Sequence, residues 1–362
     1  MQEPGPLWTA PGGATLQLNE YSWNKFATTI FIESPAGVGF SYADTPDGTV
    51  HNDTSTAIDN LAALLALYVK FPEWSTIPLW ISGESYAGLY IPMMAYNIYQ
   101  YNINAVVKLP LRGIMVGNGC IGAAAGICSP TGYANYLSLK QFHGHGFISD
   151  LSYDAAIAAC GDWSNESPAC VNAVSVASNE VGTLVDIYDI YSGVWGVCKY
   201  NKMKSTRPVS PSSFLGQVIH NIDVALSTGV LINNCTDDND LLTYMNRADV
   251  QAALNVKPTS WIDCGGITYT SDMLDERTEI YPTLVDKAGI EVVIFNGEAD
   301  GCVPITDNQW WTQSMGYPIA APWSQWTASD GTLGGYVTKY APTGNSNFTF
   351  ITVRGSGHMV SK

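Results

Sequence analysis

Short runs of β-branched and aromatic residues recur along the chain. They read as buried strands at 29–33, 79–82, 113–116, 291–295 and 348–353. Between the first two, Ile58, Leu61, Leu64, Leu65 and Tyr68 repeat at helical spacing. They predict a helix over 54–70 with Asp53 or Thr54 as its cap. A second helix is expected over 85–99. Strand and helix alternate, which predicts an α/β fold built on a mainly parallel sheet. From 118 to 264 the alternation stops, and pieces at 150–159 and 247–254 read as helices of an inserted subdomain. The expected organisation is a first core part at 1–117, an insertion at 118–264 and a second core part at 265–362. Within the insertion, 199–211 is polar and locally basic, and is expected to be an exposed loop open to proteolysis.

Composition narrows the function. The 362 residues include 16 Lys and Arg against 32 Asp and Glu, a formal charge of −16. Nucleic acid is excluded as a partner, because it requires clustered basic residues. The acidic balance suits an acidic compartment. An apolar content of 46%, with 11 Trp and 20 Tyr, supplies a large core. The longest clean apolar run, 62–69, is too short to span a bilayer. None of the eight cysteines forms a CxxC pair, so a disulfide framework is expected and a zinc ribbon is not. Sequons at Asn52, Asn165, Asn234 and Asn347 suggest glycosylation and a secretory route, extracellular or vacuolar.

The strongest local signal is Gly83-Glu84-Ser85-Tyr86-Ala87-Gly88, directly after an apolar strand. A nucleophilic serine on a sharp strand-to-helix turn needs small neighbours, and Gly83 and Ala87 supply them. The serine also needs a base, and the base an acid that orients it. Asp300 follows the strand at 291–295 and His358 follows that at 348–353, in the chain order Ser, acid, His used by α/β-hydrolases. The other histidines fit less well. His51 precedes the serine, and His220 has no distinguishing context. His143 and His145 read as a solvated turn without further metal ligands at recognisable spacing. No metal or cofactor is expected.

Ile81-Ser-Gly-Glu-Ser-Tyr-Ala-Gly88 with Tyr90-Ile-Pro92 resembles the nucleophile segment of serine carboxypeptidases. Asn19-Glu-Tyr-Ser-Trp-Asn-Lys25, Glu33-Ser-Pro-Ala-Gly-Val-Gly-Phe-Ser-Tyr42, Gly117-Asn-Gly119 and Arg354-Gly-Ser-Gly-His358 continue the match. Asp300-Gly-Cys-Val-Pro304 is closer to the plant type than to the yeast vacuolar type, and Leu89 stands where many members carry His. The resemblance implies an α/β-hydrolase fold with a disulfide-bearing insertion. It also implies removal of C-terminal residues from peptides by Ser85 as nucleophile, His358 as base then acid, and Asp300 as orienting carboxylate. Glu84 and Glu3 match the carboxyl pair that receives the substrate carboxylate. Two close carboxyls cannot both ionise cheaply, so one keeps a proton and hydrolysis is expected to favour acidic pH.

Relative to the family pattern, the segment expected before Glu3 and the helix expected after His358 are missing. The chain therefore reads as a piece trimmed at both ends, including any signal peptide. The backbone N–H of Tyr86 is the oxyanion donor that remains, and loss of one donor costs roughly 100- to 1000-fold in rate. By resemblance, Cys160 pairs with Cys170 and Cys198 with Cys235, while Cys264 is left without its upstream partner. Cys120 with Cys128 is a candidate local pair, and Cys302 is expected to be a free thiol open to mercurials. An acyltransferase of the same family and an inactive relative are the alternatives.

Overall fold

The computed structural model describes residues 4–164, 167–191, 213–218, 237–262, 267–272, 274–344 and 346–360. Its strands are β1 (Leu7–Thr9), β2 (Leu16–Leu18), β3 (Val50–Asn52), β4 (Leu79–Glu84), β5 (Leu111–Gly117), β6 (Thr268–Thr270), β7 (Glu291–Gly297), β8 (Ile319–Thr327), β9 (Leu333–Tyr340) and β10 (Phe348–Val353). Six of them form the central sheet in the order β4-β5-β7-β10-β9-β8. The first four in that order run parallel, and the β8–β9 hairpin closes one side antiparallel. Along the inner strands the deepest burial falls on every second residue, the face that packs into the core. Val292, Ile294, Phe348 and Phe350 share one core with Ile114 and Val116.

Helix α1 (Asp53–Lys70) and helix α2 (Ala87–Asn104) follow β3 and β4. Residue Asn52, not Asp53 or Thr54, caps α1. Its side chain accepts from the Ser55 N–H while the Ser55 hydroxyl accepts from the Asn52 N–H, a reciprocal capping box. The helix α2 lies on the sheet through Ile91 and Ala95, and its other side meets Leu64 of α1 through Met94 and Ile98.

One strand expectation needs correction. Residues 29–33 form no strand; Ile30, Phe31 and Ile32 are exposed and the sheet ends at β4. An apolar run becomes a strand only where a neighbouring edge takes its backbone groups, and none of these residues joins a ladder. Instead Glu33 closes the following loop. Its carboxylate accepts from the Phe40 N–H at 2.7 Å and from Trp261 Nε1 at 3.4 Å. The hairpin β8–β9 was not foreseen, because Pro322 and the pair Gly334-Gly335 break the strand pattern. Proline is tolerated in β8 because β8 is an edge strand, and Gly334 leaves room for the Trp326 ring.

Among the described residues of 118–264, none joins a strand of the central sheet. They include α3 (Gly132–Gly144), α4 (Asp150–Cys160), α5 (Pro168–Val181) and the helices Asp237–Met245 and Ala248–Ala253. Leu139, Phe142, Ala156, Val174 and Ala177 pack into one core that also takes in Ala299, next to the Asp300 turn. Disulfides join Cys160 to Cys170 and Cys120 to Cys128. Among the described residues, no helix is long and apolar enough to cross a membrane.

Candidate active site

Ser85, Asn118, Asp300 and His358 all follow the C-terminal ends of β4, β5, β7 and β10, four neighbouring parallel strands. Loops at that edge of an open α/β sheet converge on one crevice. At β4 the chain must turn directly into α2, and Ser85 makes the turn with φ 61°, a left-handed conformation rare outside glycine. Three backbone bonds hold it there. The Ser85 N–H donates to Gly117 O at 3.0 Å, and its carbonyl accepts from the N–H groups of Gly88 (2.9 Å) and Cys120 (3.0 Å). Gly88 has no room to grow, since a Cβ there would come within 2.5 Å of the Cys120 nitrogen. Ala87 is accepted because Gly83 yields the space: a Cβ on Gly83 would sit 2.6 Å from that of Ala87.

Asp300 is fully buried and its carboxylate is fully engaged. One oxygen accepts from the Cys302 N–H at 2.7 Å. The other accepts from His358 Nδ1 (2.6 Å), Asn118 Nδ2 (2.6 Å) and the Val303 N–H (3.2 Å). A carboxylate aimed at Nδ1 fixes the imidazole tautomer that leaves Nε2 to act as base. His358 reaches Asp300 because the chain after β10 crosses over Gly297, where a Cβ would collide with the Gly357 carbonyl.

Residues 141, 187 and 188 hold the loops that carry Asp300 and His358. The His358 N–H donates to Tyr188 O at 2.6 Å, and the Gly301 N–H to Ile187 O at 2.8 Å. Gln141 Nε2 donates to the carbonyls of Glu298 and Asp300, both at 3.0 Å. Asn118 and Gln141 escaped the sequence reading. Asn118 has a visible signal, since it sits inside Gly117-Asn-Gly119 and takes a left-handed φ of 40° that asparagine tolerates. Its Oδ1 accepts from the Gly297 N–H at 3.0 Å, so one side chain braces the strand end and the acid together. Gln141 has no such signal.

The remaining candidates are placed as follows. Glu84 ends β4, half-buried, and Tyr86 begins the turn into α2. Glu3, Cys198, Cys235, Cys264, His220, Asn165, Asn234 and the 199–211 loop lie outside the described residues. Cys302 takes part in neither described disulfide. It packs with Leu89, Cys120 and Val303, so Leu89 fills an apolar position. Asn347 is exposed, whereas the Asn52 amide is engaged in capping α1. His51 is buried with Nε2 2.8 Å from Ala36 O.

His143 and His145 are not a solvated turn. His143 ends α3 stacked on Tyr153, with ring centroids 4.0 Å apart, and pairs with Asp150. His145 is half-buried with Nδ1 2.6 Å from the Tyr191 hydroxyl, and burial lowers its pKa. Among the described residues, no group of three or more His, Cys, Asp or Glu is arranged to hold a metal.

Comparison with known proteins agrees with this geometry. Serine carboxypeptidase-like 35 of Arabidopsis thaliana is 31% identical over 370 residues, covering 99% of this chain and 73% of the relative. Serine carboxypeptidase 1 of Hordeum vulgare is 28% identical over 99% of this chain and 76% of its own length. The crystal structure of Kex1(Δ)p, a prohormone-processing carboxypeptidase from Saccharomyces cerevisiae, superposes with a TM-score of 0.68 at 20% identity. It covers 99% of this chain and 75% of that one, and so establishes the α/β-hydrolase fold. The model of the serine carboxypeptidase family (peptidase family S10) matches residues 1–362, and the chain belongs to that family.

Proposed function

We propose that the protein is a serine carboxypeptidase that releases C-terminal residues from peptides through an acyl-enzyme on Ser85. The observation that carries this reading is the buried 2.6 Å bond from His358 to Asp300, at the same sheet edge as the strained Ser85 turn. Ser85 Oγ attacks the scissile carbonyl and passes its proton to His358 Nε2. The oxyanion forms beside the Tyr86 N–H, at the start of α2, where the helix end favours negative charge. His358 returns the proton to the departing amine, and water then repeats the sequence on the acyl ester. Asp300, with its four donors, stays an acceptor throughout and stabilises the imidazolium.

By resemblance to the family, Glu84 and Glu3 are the carboxyl pair that receives the substrate carboxylate, and a proton kept by such a pair makes binding tighten as pH falls. The sequons and disulfides support a secretory or vacuolar setting. The test is fluorophosphonate labelling of the protein and of Ser85→Ala, followed by assay of blocked dipeptides from pH 4 to 8 with and without an added alcohol. We expect labelling lost in the variant, release of the free C-terminal amino acid and a KM that rises with pH. Absence of labelling in the parent, or transfer to the alcohol in place of hydrolysis, overturns the reading.

A further inference from the structure

Asp53 is the first residue of α1 and is fully buried, yet it contributes nothing to the cap of that helix, which Asn52 and Ser55 complete. Its carboxylate points inward and collects four donors from two segments. Oδ1 accepts from the hydroxyls of Tyr86 (2.9 Å) and Tyr269 (2.8 Å). Oδ2 accepts from the Ser271 hydroxyl (3.2 Å) and the Asp272 N–H (2.7 Å). The pairing of β3 with β6 brings these segments together, with His51 opposite Tyr269. A charge this deeply buried is tolerated only when its lone pairs are filled, and here they are.

Tyr86 directly follows Ser85, so the peptide unit between them carries the N–H expected to meet the oxyanion. Its ring is wedged edge-on between Tyr90 and Tyr269, with centroids 5.2 and 5.7 Å away, and Asp53 pins its far end. We propose that Asp53 is a positioning residue for the nucleophile turn, acting through the Tyr86 hydroxyl to hold the peptide after Ser85 in its reactive orientation. The proposal rests on the carboxypeptidase reading and extends it. Burial, together with the Asp53 charge, raises the Tyr86 pKa far above the tyrosine range, so its hydroxyl keeps the proton it donates. The neighbouring Glu276 is also fully buried, and neither of its carboxyl oxygens has a hydrogen-bond partner. Burial first, then the nearby Asp53 and Asp275, push its carboxyl well above the usual carboxylate range.

The test compares Asp53→Asn, Tyr86→Phe and the double variant in the full chain. It measures kcat and KM on a blocked dipeptide and the rate of phosphonylation by a fluorophosphonate. Misplacement of a reacting group by an ångström costs up to about 100-fold. We therefore expect Tyr86→Phe and Asp53→Asn each to lower kcat and the phosphonylation rate by about 10- to 100-fold, with KM nearly unchanged. The double variant should be no slower than Asp53→Asn alone, because both changes break one link. Should Asp53→Asn fail to fold, Tyr86→Phe decides alone, since it removes a single oxygen. A Tyr86→Phe enzyme with the parent's rates, a loss confined to KM, or two losses that multiply would overturn the proposal. A parent that is not phosphonylated at all would bring down the carboxypeptidase reading itself, and this one with it.

Discussion

Two stretches of the chain carry equally recognisable sequence, and the fold treats them in opposite ways. At the C-terminal ends of β4, β5, β7 and β10, a dense set of backbone and side-chain hydrogen bonds joins the loops. Asp300 alone receives four hydrogen bonds, and Asn118 ties it to Gly297. Residues 26–32, only fifty or so positions before Ser85, leave Phe26 90% and Phe31 63% exposed and join no sheet. A polar network buried at low dielectric is costly when incomplete, so its members enforce one another's geometry. An apolar run without a neighbour imposes no such constraint. Precision at this site therefore comes from the strand ends and from residues 141, 187 and 188, and not from the length of the hydrophobic pattern.

That contrast can be broken or sharpened by substitution. The largest effect is expected at Asn118. Replacement by glycine keeps the left-handed backbone admissible while removing the brace, and kcat should fall by about 100-fold. The orphaned Gly297 N–H should cost about 1–3 kcal/mol in urea unfolding. Activity within a few-fold of the parent would mean that Asp300 is positioned without it.

Next comes Glu276, whose carboxyl is pushed well above its ordinary range by burial first, then by Asp53 and Asp275. Unfolded, it titrates near its ordinary value, so above that pH the native state holds the extra proton. Stability from this group therefore falls as pH rises, by up to about 1.4 kcal/mol per unit until the folded pKa is reached. Glu276→Gln should flatten the decline between pH 5 and 7 in urea melts. An unchanged slope would refute a neutral buried acid at this position. Smallest of all, Phe31→Ser should change stability by no more than about 0.5 kcal/mol and leave peptide hydrolysis alone. A loss well beyond that would show that the exposed stretch is packed in solution and erase the comparison.

Much of the fold was legible from local pattern. The strands at 79–84, 111–117, 291–297 and 348–353 and the helices α1 and α2 are marked by apolar runs and helical spacing, because their inner faces must be buried whatever the partner. The order Ser85, Asp300, His358 and the tight turn at Ser85 were likewise readable, since glycine and small residues there answer to backbone geometry alone. What could not be read depends on contacts distant in sequence. The hairpin β8–β9 formed despite Pro322, and 29–33 stayed outside the sheet. Each outcome was set by which edge lay alongside.

The same holds for the supports of the site. Gln141 lies 159 residues from Asp300 and Asp53 lies 33 from Tyr86, and neither carries a motif of its own. The chemistry-bearing residues and the alternation of strand and helix follow from the sequence by itself, because they express local conformational and burial demands. The partners that orient those residues were decided by the tertiary structure, because a hydrogen bond between remote segments exists only once the sheet has brought them within reach.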